Sequence, residues 1–220
     1  MARIKRLVVP DYPHHVVQRG NRRQAVFFNQ GDYRDYLKLV ADAKEKAQVD
    51  IWAYCLMPNH VHFIVVPGSE DGLAAFFSQA HRRYTLRINQ RYEWQGHLWQ
   101  ERFHSTVMDE AHLLAAVRYV EQNPVRAGLC QSPADWPWSS ARAHLSATDD
   151  CLVGVGPMLA RINDWQEYLG GNASEQMITQ LRKNAATGRP VGSQAFVREL
   201  ERKTNRSLQL KTRGRKPRRI

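Results

Sequence analysis

The sequence predicts an α+β fold in which a ferredoxin-like antiparallel sheet carries helices packed on one face. Short stretches of apolar and β-branched residues indicate four strands, and longer stretches with apolar residues three or four positions apart indicate helices. These elements follow one another in the order β-α-β-β-α-β-α. Two split β-α-β units of this kind build an antiparallel sheet with helices on one of its faces.

The first half of the chain contains three predicted strands and one helix. We predict the strands over residues 14–19, 51–56 and 60–66 and the helix over residues 32–48. Gly20 and Asn21 end the first strand, because both residue types favour turns. Pro58 and Asn59 are a turn signal between the second and third strands, which are close enough in sequence to form a hairpin.

The second half begins with a long amphipathic helix and ends in a helical extension. We predict helices over residues 71–92 and 110–122, a strand over residues 103–108, and shorter helices near residues 136–142, 165–169, 174–183 and 194–203. Asp109 is a suitable N-cap for the helix that follows it, and Pro124 helps to end that helix. A domain boundary near residue 150 gives a first domain over residues 1–150 and a mostly helical, basic extension over residues 151–220.

The composition is typical of a globular protein from a reducing compartment. The chain has 220 residues, of which 43% are hydrophobic, and this is enough to build a core. Its N-terminal apolar run is too short for the signal peptide of a secreted protein, and we find no apolar stretch of the roughly 18 to 20 residues that a membrane span needs. The three cysteines form no CxxC pair, so neither a disulfide framework nor a cysteine zinc site is predicted. We therefore expect a cytoplasmic protein with no membrane partner.

The excess positive charge is concentrated after residue 201. Residues 202–220 contain nine of the 32 Lys and Arg residues and no Asp or Glu, whereas residues 1–201 hold 23 basic and 21 acidic residues. Such tails bind nucleic acid phosphates, and the alternative is a disordered tail that only improves solubility. Binding predicts an accessory DNA-binding segment and an association with the nucleoid. The tail residues expected to contact DNA are Arg213, Arg215, Lys216, Arg218 and Arg219.

His60 and His62 are the strongest chemical signal in the sequence. They flank Val61 inside the predicted third strand. Because strand side chains alternate between faces, both histidines point to one face while Val61 points to the other. Two imidazoles on one face are a suitable pair of metal ligands. From the doublet alone, ordinary strand histidines are the alternative.

Tyr119 and Asn123 lie four residues apart, which is the spacing of neighbouring side chains on one helix face. We predict that Asn123 completes the metal site and that Tyr119 attacks a phosphodiester bound there. A free phenol has a pKa of about 10, so we expect the metal to polarise the phosphate. The other tyrosines lack such a ligand or have a helix-breaking glycine pair before it. The alternatives are a core role for Tyr119 and a helix-ending role for Asn123 before Pro124.

Four motifs resemble those of HUH single-tyrosine transposases. They are HVVQRGNRRQ over residues 15–24, MPNHVHFIV over 57–65, WQERFHS over 99–105 and YVEQNPVRAGL over 119–129. Together they are similar to the motifs of the REP-associated tyrosine transposases, a branch related to the transposases of small insertion sequences. The resemblance covers about residues 5–145 and implies the same ferredoxin-like fold.

The resemblance also implies a metal-dependent enzyme that acts on single-stranded DNA. His60, His62 and Asn123 would bind Mg²⁺ or Mn²⁺, although many relatives have glutamine where this chain has Asn123. Tyr119 would cleave and rejoin DNA at hairpins of repetitive extragenic palindromes (REP) through a 5′-phosphotyrosine, leaving a free 3′-hydroxyl. Related transposases act as dimers, and a monomer that uses its own tyrosine is the alternative in this branch.

Arginine and tryptophan residues of the body are candidates for further DNA contacts. The guanidinium group matches the geometry of a phosphate. The arginines expected to contact phosphates are Arg19, Arg22, Arg23 and Arg102. Each of Trp94, Trp99, Trp136 and Trp138 either belongs to the core or stacks on unpaired bases.

Two other functions are compatible with these residues. A DNA-binding regulator would keep the fold without cutting DNA, but such a protein has no need for His60, His62 and Tyr119 together. A zinc hydrolase or nuclease would use water as the nucleophile, and its activity would survive the substitution Tyr119→Phe.

Overall fold

The computed structural model describes residues 6–171 and 174–209 and confirms the predicted α+β fold. The strands are β1 (His14–Arg19), β2 (Val49–Met57), β3 (His60–Pro67) and β4 (His104–Val107). They form one sheet in the order β2-β3-β1-β4, in which neighbouring strands are antiparallel. Only Pro58 and Asn59 separate β2 from β3, and these two strands form the predicted hairpin.

Helices precede and follow the strands in the predicted order. The long helices are α1 (Gln30–Ala47), α2 (Gly72–Tyr92), α3 (Glu110–Glu121), α8 (Glu175–Thr187) and α9 (Gln194–Thr204). The short ones are α4 (Asn123–Arg126), α5 (Ala141–Leu145), α6 (Gly156–Leu159) and α7 (Trp165–Gly170). Two 3-10 turns, Asn21–Arg23 and Pro133–Asp135, complete the described structure. From β1 to α3 the order is the predicted one.

The helices α1 and α2 cover one face of the sheet. Phe63 of β3 lies against Phe76 and Phe77 of α2, with ring centroids 6.2 and 5.7 Å away. Asn29 and Asp32 form a capping box at the start of α1, because each side chain accepts a hydrogen bond from the backbone of the other. Apolar and aromatic side chains fill the space between this face of the sheet and the two helices.

The helix α3 lies on the opposite face of the sheet, so the prediction that the helices pack on one face holds only for α1 and α2. Ile64 of β3 and Cys55 of β2 share a core with Leu113 and Val117 of α3. Both faces of these strands are apolar, and strand alternation alone therefore does not decide which face a helix covers. Asp109 caps α3 as predicted, since its side chain accepts a hydrogen bond from the backbone of His112.

The extension after residue 150 packs into the same cores as the residues before it. Leu152 and Val153 join the core beneath α1 and α2, whereas Trp165 and Leu181 join the core around α3. No separate core marks the predicted boundary in the described part of the extension, and its role in DNA binding stays a prediction. The predicted tail contacts lie outside the described residues: Arg213, Arg215, Lys216, Arg218 and Arg219. None of the helices described is long and apolar enough for a membrane span.

Candidate active site

The strand β3 places both predicted metal ligands on the face of the sheet that α3 covers. His60 and His62 lie on either side of Val61, which is fully buried in the core beneath α1 and α2. The two imidazole centroids are 4.9 Å apart. His62 is buried and His60 is half-buried, so the pair sits at the edge of the core where a solvent-borne group can reach it.

The turn before β3 fixes the orientation of the His60 ring. Asn59 donates its side-chain N–H to the carbonyl oxygen of Arg23 over 2.9 Å, which leaves its amide oxygen facing His60. That oxygen lies 2.6 Å from Nδ1 of His60. A neutral His60 therefore carries its proton on Nδ1, where it donates to the amide oxygen, and keeps the lone pair of Nε2 free.

A third histidine, His15 of β1, holds the ring of His62. Its Nε2 lies 3.0 Å from Nδ1 of His62. The two rings are parallel, with centroids 5.3 Å apart and an interplanar angle of 4°. Nε2 of His62 and Nδ1 of His15 are buried without a hydrogen-bond partner among the described residues. When His62 carries its proton on Nδ1 and donates it to His15, Nε2 of His62 has a free lone pair for a ligand, whereas His15 carries its own proton on Nδ1.

Burial keeps all three imidazoles neutral near pH 7. It lowers the pKa of His60 to about 4, with a further contribution from the nearby Arg19. Burial also lowers the pKa of His15 to about 4. The pKa of His62 lies well below its ordinary value, first because of burial and then because His60 and His15 are close. Neutral imidazole is the form that binds metal ions.

Tyr119 of α3 lies directly over the histidine pair formed by His15 and His62. Its ring meets the His62 ring edge-on at a centroid distance of 5.6 Å and the His15 ring at 6.2 Å. The side chain is 7% exposed. The structure thus brings together two elements that the sequence predicted to act jointly, the strand with His62 and the helix with Tyr119.

Two arginines surround the phenol of Tyr119. Arg182 of α8 donates from Nε to the phenol oxygen over 3.4 Å. The guanidinium carbon of Arg126 in α4 lies 4.7 Å from the centroid of the Tyr119 ring. Both arginines are otherwise exposed to solvent. Their positive charges favour a phosphate at this position.

Asn123 lies one turn after Tyr119 but on a different helix. The helix α3 ends at Glu121, and Asn123 begins α4 just before Pro124. Its side-chain nitrogen is buried without a hydrogen-bond partner, and within the described residues Asn123 makes no hydrogen bond to His60, His62 or Tyr119. Its predicted role as the third metal ligand stays a prediction.

The donor set fits a divalent cation bound partly by groups from outside the protein. In the part of the chain that the structure describes, no group of three His, Cys, Asp or Glu side chains is placed to hold a metal ion. The available donors are the free Nε2 atoms of His60 and His62 and the side-chain amide of Asn123, whose nitrogen has no hydrogen-bond partner among the described residues. A site with few protein ligands keeps coordination positions open, which phosphoryl transfer requires.

The predicted phosphate-binding arginines lie at the end of β1 and on two loops. Arg22 and Arg23 are exposed on a turn in which both have left-handed backbone angles, with φ of 52° and 61°. Gly20 precedes this turn because a Cβ there would lie 2.3 Å from the carbonyl oxygen of Gln24. Arg19 is half-buried on β1 opposite His60, and Arg102 is exposed before β4. Their contacts with DNA stay predictions.

The sequence did not single out three residues of this site. His15 was one of several histidines without an assigned role, and only its cross-strand position on β1 reveals that it touches His62. Arg126 falls within the motif that contains Tyr119, but the motif indicates no role for it. Arg182 is 63 residues from Tyr119, and no local sequence pattern predicts their contact.

Comparisons with known proteins find similarity to a family of transposases. The family model of IS200-like transposases matches residues 8–123. A Haemophilus influenzae protein named as a REP-associated tyrosine transposase is 27% identical over 107 residues, which span 43% of this chain and 60% of that relative. The REP-associated tyrosine transposase of Escherichia coli is 25% identical over 121 residues, spanning 54% of this chain and 70% of the relative.

A solved structure supports the fold independently of the sequence motifs. It is a REP-associated tyrosine transposase bound to a REP hairpin, and it aligns with a TM-score of 0.58 at 19% identity. The alignment covers 70% of this chain and 92% of the solved one. At this identity, the likeness establishes the architecture of the sheet and its helices.

Proposed function

The chain belongs to the IS200-like transposase family, and from this premise we propose that it cleaves and rejoins single-stranded DNA through a covalent bond to Tyr119. The observation that carries the proposal is the position of the phenol. Tyr119 lies edge-on over His62, whose Nε2 is free, while Arg182 donates to the phenol oxygen. The phenol proposed as the nucleophile thus lies beside a proposed ligand, His62, and beside the positive charge of Arg182.

The residues fit a divalent cation, Mg²⁺ or Mn²⁺. His60 and His62 would hold it through their Nε2 atoms, with the amide oxygen of Asn123 as the proposed third ligand. When bound, the cation would polarise the target phosphate and stabilise the charge that develops there. His15 would then accept the Nδ1 proton of His62 and keep that ring in the tautomer that leaves Nε2 free.

Tyr119 supplies the nucleophile in the proposed reaction. Its phenol oxygen forms a bond to the phosphorus and releases its proton to solvent, while the bond from phosphorus to the 3′ oxygen breaks and that oxygen takes up a proton from solvent. The products are a 5′-phosphotyrosine and a DNA end with a free 3′-hydroxyl. Rejoining reverses the step, because a 3′-hydroxyl attacks the phosphotyrosine and releases the phenol. Arg182 and Arg126 lie beside the phenol and would stabilise the charge of the phosphate.

The proposed substrates are DNA hairpins of the REP type. The two curated relatives are named for these elements, and the aligned structure contains such a hairpin. We assign the phosphate contacts near the active site to Arg19, Arg22, Arg23 and Arg102, and further contacts to the basic tail. The reaction is proposed for a monomer or a homodimer.

The test is a denaturing gel with single-stranded hairpins labelled at either end. The wild type is compared with Tyr119→Phe and with a matched control, Tyr33→Phe, in the presence and absence of Mn²⁺. Tyr33 has the same 7% exposure as Tyr119 but lies in the core on the other face of the sheet. We expect a metal-dependent covalent band for the wild type and for Tyr33→Phe, and none for Tyr119→Phe.

The other outcomes separate the competing functions. Cleavage that persists in Tyr119→Phe would indicate a nuclease that uses water. Hairpin binding by the wild type without cleavage or a covalent band would indicate a DNA-binding regulator. Either result would overturn the proposal.

A further inference from the structure

Three exposed aromatic side chains form one cluster at the end of α2. Phe28, Tyr92 and Trp94 are 38%, 37% and 48% exposed. Among the described residues, only Leu86 and Leu129 join them as exposed large apolar side chains. A cluster of this kind is more informative than single exposed apolar residues, which are normal on protein surfaces. We call Phe28, Tyr92 and Trp94 the aromatic platform.

The platform is held in place by its neighbours. The rings of Tyr92 and Trp94 are stacked, with centroids 4.8 Å apart and an interplanar angle of 24°. Phe28 lies 5.0 Å from Tyr92 and 5.7 Å from Trp94. The guanidinium of Arg91 lies 4.7 Å from the Tyr92 centroid and is fixed by two hydrogen bonds to Asp32, of 2.6 and 2.9 Å. The rings are thus ordered before any ligand arrives.

The platform is connected to the candidate active site through a single turn. The backbone N–H of Phe27, the residue before Phe28, donates to the carbonyl oxygen of Pro58 over 3.2 Å. Pro58 and Asn59 lead directly into His60, and Asn59 also binds the carbonyl oxygen of Arg23. The segment that leads into Phe28 is therefore hydrogen-bonded to the turn that leads into His60.

The chemistry of the surroundings favours a nucleic acid strand as the occupant. Arg22 and Arg23 are exposed on the adjoining turn, and in the described structure neither forms an ion pair. The shallow surface next to Trp94 is lined by Leu86, Glu93 and the amide side chains of Gln90, Gln95 and Asn89, of which Asn89 donates to the carbonyl oxygen of Gly96. Aromatic faces bind bases by stacking, arginines bind phosphates, and amides bind the edges of bases.

We propose that the aromatic platform stacks the unpaired nucleotides that flank the hairpin, while Arg22 and Arg23 contact their phosphates. The proposal rests on the proposed function, since it assigns a binding surface to the single-stranded part of the same substrate. Base stacking on aromatic side chains strengthens binding about 5- to 150-fold per base and tolerates any sequence. The platform would therefore bind the unpaired flank with little dependence on which bases it contains.

The test measures the binding of two labelled DNAs to the full chain by fluorescence anisotropy. One DNA is a hairpin alone, and the other is the same hairpin with an unpaired flank. We expect Trp94→Ala to weaken binding of the flanked hairpin about 10-fold, which corresponds to the loss of one stacked base, and to leave the bare hairpin unaffected. Trp94→Phe retains a ring and should retain most of the affinity. The control is Leu129→Ala, which removes an exposed apolar side chain outside the platform.

Three results would overturn the proposal. The first is an unchanged affinity of Trp94→Ala and of Tyr92→Ala for the flanked hairpin. The second is an equal loss for both DNAs or an equal effect of Leu129→Ala. The third is a wild-type dimer in light scattering that Trp94→Ala dissociates, since the platform would then bind a second copy. Melting curves of each variant verify that the chain remains folded.

The covalent-band assay on the same flanked DNA separates this proposal from the proposed function. A Tyr119-dependent band with no effect of Trp94→Ala on binding would leave the function standing and reject the platform. The absence of any band, combined with a flank-specific loss in Trp94→Ala, would retain the platform as a single-strand binding surface and reject the transesterase.

Discussion

The hydrogen bond between His15 and His62 leads to a prediction about metal affinity. His15 is 2% exposed, and its Nε2 is the partner of Nδ1 of His62. The substitution His15→Ala leaves Nδ1 of His62 without that partner in a buried site. The proton of His62 is then no longer directed to Nδ1, and the ring is free to adopt the tautomer whose Nε2 has no lone pair for a metal.

The expected loss follows from two independent estimates. A single buried hydrogen bond contributes about 0.5–1.5 kcal/mol. Removing the partner that orients a ligating histidine weakens metal binding about 10- to 100-fold, which equals about 1.4–2.7 kcal/mol. The range for the hydrogen bond and the range for the ligand's partner overlap near about 1.4 kcal/mol, which corresponds to about 10-fold in affinity. We therefore expect His15→Ala to weaken the binding of Mn²⁺ at least about 10-fold.

The assay is a titration of the DNA-free protein with Mn²⁺, in which free Mn²⁺ is followed by electron paramagnetic resonance. His15→Gln offers an amide oxygen as an alternative acceptor and should recover part of the affinity. Thr106→Ala is the matched control, because Thr106 is the buried cross-strand neighbour of His15 on β4. An affinity of folded His15→Ala within twofold of the wild type would refute the reasoning, as would an equal loss in Thr106→Ala.

Two further predictions concern charged side chains. Arg182→Ala should slow formation of the Tyr119–DNA bond about 10-fold, because a hydrogen bond to a charged group contributes about 1.5–3 kcal/mol. The control is Lys183→Ala, which removes an equal charge from an exposed position of α8 and should leave the rate unchanged. Equal rates for the two variants in single-turnover gels would contradict this. For Asp32, burial opposes ionisation, but the hydrogen bonds from Arg91 and from two backbone N–H groups outweigh it, and the pKa lies below its ordinary value. The stability that Asp32 contributes is present above the unfolded pKa of about 3.9 and is lost as the pH falls through the folded pKa. Asp32→Asn should therefore cost about 2 kcal/mol in urea unfolding at pH 7 and less at pH 3, and an equal cost at both pH values would contradict the argument.

The sequence predicted the order of the elements well because each element has a strong local signal. The apolar stretch from His60 to Val66 and the turn residues before it define β3 without knowledge of the rest of the chain. The placement of α3 was predicted less well. Val61 and Ile64 are both apolar and point to opposite faces, so the strand pattern offers a helix two equivalent surfaces.

The candidate site was predictable where its residues form motifs and hidden where they meet only in the folded chain. His62 and Tyr119 are recognisable from their own segments, and the structure places their rings 5.6 Å apart. His15 and Arg182 reach the site through strand pairing and helix packing, which depend on contacts between distant segments. A single sequence contains no local trace of such contacts.

The same packing makes the extension a part of the candidate site. Glu121 lies two residues after Tyr119 and is fully buried. Its carboxylate accepts hydrogen bonds from Ser140 over 2.5 Å, from His144 over 2.6 Å and from Trp165 over 3.0 Å. A buried carboxylate is stable only when such donors surround it, so these contacts fix the end of α3 that carries Tyr119. Because Trp165 and the Tyr119 partner Arg182 both come after residue 150, the extension positions the phenol, whatever further contacts its tail makes with DNA.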